Sequence, residues 1–289
     1  MIVHTIWIQD PSGSRTFDIG EWLSLLSLLR NTDYNVVLHT NLVAGQVEYD
    51  PYKIVHDRFL VRHRNFDFVV NGVRLRPANI SDMERIRILH AHGGIYSDMD
   101  IWWIKPLVLD PSVNMVAAFE NPGYGTVTNA FLACPNGGWA PLLQLLNMME
   151  GRIAALHARG VTDVTGNPAK GVSKHHTLLW KLTGEFLKER GAVIYEKSHF
   201  YKNGWRRIGR ELMRLGVPLK PSTDVKALGT AKDRFSLVGS SGFHYFAELF
   251  TAEQVLQIPQ IKELFVPVLE WGASWLNGAA PKGDRVLVL

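Results

Sequence analysis

The apolar positions at the start of the chain change spacing twice, and each spacing predicts one element. Residues Ile2–Ile8 form a β-branched, largely apolar run that ends at the turn-rich Asp10–Gly13, which predicts a buried strand and a loop. Over Glu21–Arg30 the apolar positions recur at helical spacing, and Asn35–His39 has the composition of a second strand. Strand, helix and strand in this order predict an α/β layer architecture with a largely parallel sheet, whose ligand lies at the carboxyl ends of the strands.

A helix with both ends marked is predicted within Ala78–Lys105. Ser81 and Glu84, three residues apart, form a capping box, which places the helix start at Ser81. Gly93 and Gly94 supply the left-handed stop that commonly ends a helix. The helix is therefore predicted to begin at Ser81 and to end at the glycine pair.

Two aspartates follow the strand that is predicted directly after these glycines, over Ile95–Ser97. If the extended geometry continues, Asp98 and Asp100 project to the same side, because side chains alternate along a strand. Two carboxylates at a strand end suit a hard divalent cation such as Mg²⁺ or Mn²⁺, and so few protein ligands leave coordination positions for phosphate oxygens. A surface turn, or a carboxylate pair that caps local backbone amides, is the alternative interpretation.

The second half of the chain shows three further helical patterns, over Trp139–His157, Ser173–Arg190 and Arg206–Leu215. No internal repeat and no low-complexity linker divides the sequence. We therefore predict one domain with a C-terminal elaboration.

The composition is that of a globular protein. Of 289 residues 46% are hydrophobic and 20% charged, with 25 Gly and 14 Pro, which excludes collagen-like and disordered chains. Cys134 is the one cysteine, so intrachain disulfides and cysteine-rich zinc sites are excluded; a small core residue in a reducing cytoplasm is the simplest interpretation. Neither a membrane-spanning apolar run nor a cationic leader followed by an apolar region is predicted.

The formal net charge of +4 is unevenly distributed. Residues 197–234 contain ten Lys or Arg and three acids. Such a segment can attract a polyanion such as nucleic acid, a membrane face or a phosphorylated substrate, or can be an ordinary solvated surface.

The segment around the aspartate pair resembles a known family. It contains Ser81-Asp82-x-x-Arg85 and then His92-Gly93-Gly94-Ile95-Tyr96-Ser97-Asp98-Met99-Asp100. This pattern is similar to the hallmark of the DXD-containing sugar-binding glycosyltransferases, which include the fungal initiating mannosyltransferase and bacterial capsule and lipopolysaccharide transferases, and are related to the glucosylating domains of clostridial toxins. The opening His4-Thr5-Ile6-Trp7-Ile8, Asn129 in Thr128–Phe131, and His244 in Phe243–Phe246 also resemble parts of that family.

The resemblance implies a fold and a reaction. The fold is the GT-A type, α/β with a mixed, mostly parallel central sheet flanked by helices, in which residues 1–135 are the donor-binding core and roughly 160–289 the acceptor side. The reaction is transfer of a sugar from a nucleoside-diphosphate sugar to an acceptor hydroxyl, with Mn²⁺ or Mg²⁺ opposing the charge that develops on the leaving diphosphate.

Site roles also follow from the resemblance. Asp100 is expected to ligate the metal, and Asp98 to contact the metal, the ribose or the sugar. Asp82 and Arg85 are expected to hold the sugar hydroxyls and the diphosphate, although an exposed pair in the first helical turn is the alternative. The predicted catalytic residues are Asp82, Asp98 and Asp100.

Three more residues carry open alternatives. Trp7 stacks on the donor base or is a core residue. Asn129 binds sugar hydroxyls or belongs to a turn. His244 completes the metal ligands or is an ordinary core or surface histidine.

The resemblance implies retention of the anomeric configuration, which leaves front-face displacement and a covalent intermediate open. We expect a glycan or glycolipid precursor as acceptor and a cytoplasmic location, free or peripheral at the inner membrane face. The rival hypotheses are a transferase acting on modified DNA or protein, which the basic segment would attract, and a catalytically inactive sugar-binding or nucleic-acid-binding protein with the same fold.

Overall fold

The computed structural model describes residues 1–9, 16–121, 126–165, 179–196, 199–200, 203–220, 228, 235–245, 247 and 249–278. The strands in these ranges are β1 (Ile2–Trp7), β2 (Asn35–Thr40), β3 (Phe59–His63), β4 (Val69–Val70), β5 (Val73–Arg74), β6 (Gly94–Ser97), β7 (Ile101–Trp103), β8 (Val116–Asn121), β9 (Thr126–Cys134), β10 (Val193–Tyr195) and β11 (Gly242–His244). The α-helices are α1 (Ile19–Asn31), α2 (Pro77–His92), α3 (Pro141–His157), α4 (Leu179–Glu189), α5 (Trp205–Arg214), α6 (Ala252–Val255) and α7 (Pro259–Leu276).

A central sheet with the strand order β10-β8-β9-β6-β1-β2-β3 organises the molecule. β1 pairs in parallel with β2 and β6, β2 with β3, and β8 with β10, whereas β9 runs antiparallel between β6 and β8. The predicted α/β class with a mixed, mostly parallel sheet is confirmed. Away from this sheet, β7 pairs with β11 and β4 with β5, both antiparallel.

Two apolar clusters cover the two faces of the sheet. One contains the buried residues of α1 and α7 together with the large rings of Trp22, Trp102 and Trp103. The other contains the buried apolar residues of α2, α3 and α4 together with Cys134, which is 1% exposed as expected of a core residue. Helices on both faces are the usual way to bury a mostly parallel sheet.

The predicted start of α2 at Ser81 is wrong, because the helix begins four residues earlier at Pro77. Arg76 is extended and precedes the proline, whose fixed φ and missing N–H suit the first helical position. Ser81 is therefore inside the helix, where its hydroxyl contacts Arg85 Nη2 at 3.1 Å and Tyr96 Oη at 3.2 Å. The predicted end is confirmed, since Gly93 follows His92 at φ +66°.

The extended geometry predicted through the aspartate pair is also wrong. β6 ends at Ser97, and the chain turns at Met99 and Asp100, closed by a 3.2 Å bond from the Ile101 N–H to the Asp98 carbonyl. The Asp98 N–H donates to the Ala130 carbonyl of β9 at 2.7 Å, after which the chain leaves the sheet for β7. The two aspartates consequently lie on a turn.

The helices predicted in the second half of the chain are confirmed within the described residues. α3 and α5 match their predicted helices, and α4 covers the described part of the helix predicted over Ser173–Arg190, whose first six residues lie outside the described ranges. The predicted loop over Asp10–Gly13 and half of the Lys and Arg residues in the basic segment 197–234 also lie outside them. As the sequence predicts, no helix in the described ranges has the length and apolar character needed to cross a membrane.

A cluster of three histidines lies where β1, β2 and the end of α2 meet. His4 and His39 are almost fully buried, and His4 Nδ1 lies 3.1 Å from His39 Nε2. The His92 ring centroid is 6.0 Å from that of His4. Burial lowers the pKa of His4 to about 4 and that of His39 to about 3, and the neighbouring His92, Arg62 and Arg64 add to these shifts.

We predict that acid weakens the fold through this cluster. Because His4 and His39 stay neutral in the folded chain but bind protons near pH 6.5 when unfolded, the free energy of unfolding falls as pH drops from about 6.5 towards 4. The limiting slope is about 1.4 kcal/mol per pH unit for each histidine. Urea unfolding at pH 7.5, 6.0 and 5.0 measures it.

The comparison variant is His39→Gln, which removes one titrating ring and should flatten the slope. His63→Gln changes an exposed histidine of β3 and should leave it unchanged. Equal slopes in the two variants would contradict the assignment to the buried cluster.

Candidate active site

The parallel strands bring the predicted site residues to one edge of the sheet. Trp7 is the last residue of β1, and Asp98 directly follows β6, its parallel neighbour. β9 runs antiparallel to β6 with Phe131 opposite Ser97, so Asn129 of β9 lies at the same edge. Ligands of open α/β sheets bind at this carboxyl edge.

Arg85 lies at the centre of the site. Its side chain is 5% exposed, and its Nη1 is 3.2 Å from Asp98 Oδ1 while its Nη2 is 3.4 Å from Asp82 Oδ1. Nη1 also donates to the Asn129 carbonyl at 2.6 Å, and Nε donates to the Ser81 carbonyl at 3.1 Å. A planar guanidinium with five donors is suited to holding several acceptors at once. The structure thus brings together Asp82, Arg85, Asp98 and Asn129.

Asp82 is a buried carboxylate with two partners. It is 6% exposed, and Asn129 Nδ2 donates to its Oδ1 at 2.7 Å, the same oxygen that faces Arg85. Burial raises the pKa of Asp82 to about 6, while Arg85 and the Asn129 bond oppose that rise. The alternative of an exposed first-turn pair is wrong, because Asp82 and Arg85 are buried in the second and third turns of a longer helix.

Tyr96 completes this network, a role that the sequence analysis did not assign. Its hydroxyl donates to Asp98 Oδ1 at 2.6 Å, and the Arg85 guanidinium lies 4.4 Å from its ring centroid. Burial raises the pKa of Tyr96 well above its ordinary value, so the hydroxyl keeps its proton for this bond. Its place two residues before Asp98 in the motif was the available signal, since strand residues two apart share a face.

Asp98 remains the open side of the network. Its side chain is 29% exposed although one oxygen contacts both Arg85 and Tyr96. Burial raises the pKa of Asp98, with Arg85 opposing the rise and Asp100 adding to it. A ligand at this edge therefore meets Asp98 before Asp82.

Asp100 and His244 form a second group, joined across 144 positions of sequence. β11 pairs with β7 so that His244 lies opposite Ile101, and His244 Nε2 is 3.1 Å from Asp100 Oδ1. Their side chains are 11% exposed for His244 and 18% for Asp100. The structure thus places His244 beside the predicted metal ligand Asp100.

The donor set is of the kind that divalent cations accept. Asp98, Asp100 and His244 offer carboxylate oxygens and one imidazole nitrogen, which suit Mn²⁺ and, through the oxygens, Mg²⁺. Among the described residues, no group of three or more His, Cys, Asp or Glu side chains is arranged to hold a metal ion by itself. An ion here would need ligand atoms from a bound substrate as well.

Trp7 lies at the same sheet edge but is buried. It is 6% exposed and meets Phe17 edge-on at 5.4 Å between ring centroids. The six residues that precede Thr16 lie outside the described ranges. Stacking of Trp7 on a nucleotide base stays a prediction.

Part of the chain is similar to a known protein family. Residues 26–121 match the family model described as the glycosyltransferase sugar-binding region containing the DXD motif. We call residues 26–121 the sugar-binding region, after the family that they are similar to. It includes Asp82, Arg85, Asp98 and Asp100, whereas Trp7, Asn129 and His244 lie outside the matched residues. No curated protein matches the sequence.

Two similar solved structures are glycosyltransferases. "PaToxG Glycosyltransferase" shares 14% identity at a TM-score of 0.45, over 91% of this chain and 84% of that chain. The apo-form glycosyltransferase GlyE of Streptococcus pneumoniae TIGR4 shares 12% identity at a TM-score of 0.50, over 98% of this chain. This chain spans 65% of the length of GlyE. The likeness to GlyE shows the GT-A type fold, and with the sugar-binding region it supports a transferase.

We predict that Arg85 stabilises the fold by neutralising the buried carboxylate of Asp82 and the partly buried carboxylate of Asp98. Arg85→Met should cost about 3–5 kcal/mol at pH 7.5, because it leaves Asp82 and Asp98 without their cation. The loss should shrink at pH 5.5, since a buried carboxylate with a raised pKa takes up a proton there and stops costing free energy. Chemical unfolding at both pH values measures the effect.

Arg64→Met is the matched control. Arg64 is 37% exposed and lies 3.4 Å from Glu84, so its removal should cost less than about 1 kcal/mol. An Arg85→Met variant as stable as Arg64→Met, or one whose deficit grows at pH 5.5, would be inconsistent with this role.

Proposed function

We propose that this chain is a divalent-metal-dependent glycosyltransferase that moves a sugar from a nucleoside-diphosphate sugar to an acceptor hydroxyl. The supporting observation is that all four motif residues of the sugar-binding region converge at one sheet edge, where Asn129 and His244 join them. The motif residues come from α2 and the turn after β6, Asn129 from β9 and His244 from β11.

In this proposal, Asp82 and Asn129 recognise sugar hydroxyls. Asp82 Oδ1 accepts from Asn129 and faces Arg85, so its second oxygen and the side-chain oxygen of Asn129 are the acceptors offered to a sugar. Arg85 fixes both carboxylates and supplies positive charge near the diphosphate, while its own donors bind Ser81 and Asn129.

Asp98, Asp100 and His244 are the proposed metal-holding residues. A bound Mn²⁺ or Mg²⁺ would neutralise the charge that develops on the departing diphosphate. Asp100 would supply carboxylate oxygen to it, and His244 keeps that carboxylate oriented and offers imidazole nitrogen. Asp98 is near both, since Asp100 raises its pKa and His244 lowers it. The sparse protein donor set suits an ion that shares its coordination with diphosphate oxygens.

We propose retention by front-face transfer. A covalent glycosyl-enzyme needs a carboxylate nucleophile directed at the anomeric carbon. Each of the two carboxylates in the Arg85 network already has its Oδ1 engaged, that of Asp82 by Asn129 and Arg85, and that of Asp98 by Tyr96 and Arg85. This engagement favours a path in which the leaving phosphate accepts the proton of the incoming hydroxyl.

The acceptor is proposed to be a glycan or glycolipid precursor that approaches from the C-terminal part of the chain, in a cytoplasmic setting. The amphipathic helix α5 lies there, with Ile208 and Leu212 buried and Arg206 exposed, whereas the exposed Arg214 is paired with Glu211 Oε1 at 2.6 Å. Exposed guanidinium groups of this kind can hold an acidic or phosphorylated acceptor.

We predict that one nucleoside diphosphate stabilises the protein in a Mn²⁺-dependent way. Uridine, guanosine and cytidine diphosphates and their sugars are screened by thermal shift with and without Mn²⁺. At a hundredfold excess over its Kd the correct donor should raise the Tm by roughly 5–10 °C, because a ligand of the native state stabilises by mass action. Release of the nucleoside diphosphate from the stabilising sugar nucleotide then reports turnover.

Asp100→Asn should abolish both the Mn²⁺-dependent shift and the turnover. Asp110→Asn is the matched control, because Asp110 is an exposed turn residue whose carboxylate bonds to the neighbouring Ser112. A chain that no nucleotide stabilises, or an Asp100→Asn variant that behaves as the Asp110→Asn variant does, would refute the proposed function.

A further inference from the structure

The last residue of β11 and the segment that follows it hold Asp100 in place through three contacts. His244 Nε2 lies 3.1 Å from Asp100 Oδ1, the Tyr245 N–H donates to the Asp100 carbonyl at 3.0 Å, and the Ala247 N–H donates to Asp100 Oδ2 at 3.4 Å. The orientation of this aspartate therefore depends on where His244, Tyr245 and Ala247 lie. The strand pairing beside them is only three residues long on each strand, so other contacts must fix the segment.

Tyr245 provides such a contact. It is 2% exposed, and its ring packs against Trp102 with 4.8 Å between centroids and an interplanar angle of 36°. The indole N–H of Trp102 donates to the Gly20 carbonyl at 3.0 Å. Tyr245 thus reaches across the Trp102 ring to the first turn of α1.

At the end of this reach, the tyrosine hydroxyl occupies the space that a side chain at Gly20 would need. A Cβ at Gly20 would lie 2.2 Å from Tyr245 Oη and 2.9 Å from Tyr245 Cζ. The backbone of Gly20 is also fixed, because its N–H donates to Asp18 Oδ1 at 2.7 Å within a capping box that Glu21 completes. An added Cβ must consequently displace the tyrosine. Its hydroxyl has to move by about 1 Å before the distance between Oη and the Cβ is an ordinary van der Waals contact.

We propose that Gly20 and Tyr245 are positioning residues for the pair of Asp100 and His244. The absence of a side chain at Gly20 leaves room for the Tyr245 hydroxyl. The tyrosine in this position fixes the location of the adjacent His244 and of the Tyr245 N–H that donates to the Asp100 carbonyl. The inference rests on the proposed function in one respect, namely that Asp100 and His244 hold a divalent cation. Positions that orient ligand residues typically change metal affinity by about tenfold or more when they are altered.

Gly20→Ala and Gly151→Ala form a matched pair of variants. Gly151 lies inside α3, and a Cβ there meets nothing within 4 Å. Alanine favours a helix interior over glycine by roughly 1 kcal/mol, so helix propensity alone would stabilise Gly151→Ala, and it gives no reason for Gly20→Ala, in the first turn of α1, to be less stable. At Gly20 the added Cβ meets Tyr245 and, at 3.1 Å, Asp18 Oδ1, whereas at Gly151 it meets nothing within 4 Å. Rescue by Tyr245→Phe, described below, separates the Tyr245 contact from the Asp18 contact.

The first measurement follows the His244 ring resonance in a protein with labelled histidines, assigned through His244→Asn, at one fixed pH and without metal. Gly20→Ala should shift this resonance, and Gly151→Ala should leave it unchanged. An unshifted resonance in folded Gly20→Ala would overturn the proposal, whether or not the protein transfers a sugar.

The second measurement is the affinity for Mn²⁺, read from the paramagnetic resonance of the free ion. Gly20→Ala should weaken it about tenfold or more, and adding Tyr245→Phe should recover part of the loss because the phenylalanine lacks the clashing oxygen. Unaltered Mn²⁺ affinity in Gly20→Ala alongside a shifted His244 resonance, or absence of rescue, would contradict the positioning role. A natural chain that binds no Mn²⁺ would count against the proposed function and leave the resonance test to decide the positioning.

Tyr245→Phe alone covers the case in which Gly20→Ala does not fold. Loss of the hydroxyl beside Gly20 should shift the His244 resonance and weaken Mn²⁺ binding by a few-fold. A resonance position and a Mn²⁺ affinity equal to those of the natural chain would overturn the proposal.

Discussion

The buried guanidinium of Arg85 is the interaction on which the site depends. A cation that is 4% exposed is tolerated only when it is surrounded by acceptors, and Arg85 has a carboxylate on either side and backbone carbonyls from Ser81 and Asn129. These acceptors belong to α2, to the turn after β6 and to β9. One charge therefore ties a helix to two neighbouring strands and sets the distance between them at the edge where a substrate would bind.

Several strands and helices could be predicted because their signals lie within a few residues of each other in the sequence. The β-branched run of β1, the helical spacing of α1 and the glycine stop after His92 each act within a few residues, and the structure confirms them. The capping-box prediction failed at Ser81 because the same residue types also serve tertiary contacts. There the hydroxyl contacts Arg85 and Tyr96, and the proline at Pro77 starts the helix instead.

The long-range half of the site could not be derived from spacing. The contact of His244 with Asp100 requires β11 to return across the chain and pair with β7. Only the family resemblance pointed to His244. The space above Gly20 that Tyr245 fills has no sequence signature, because a glycine near a helix start is common and its partner lies 225 residues away. Such contacts depend on three-dimensional packing, which local preferences do not encode.

The sugar-binding region alone is not a complete site, because several of its polar groups find their partners elsewhere in the chain. Within residues 26–121, Asp82 and Arg85 would lack the amide and the carbonyl of Asn129, and Asp100 would lack His244 and the backbone donor of Tyr245. Buried polar groups without partners are costly, so the matched region needs β9 and β11 for its own electrostatics. The first group of residues, around Arg85, is closed by β9 soon after the motif ends. The second, around Asp100, is completed only by residues of β11 and the segment after it. The pair that would meet the leaving group therefore depends on the longest-range contact in the site.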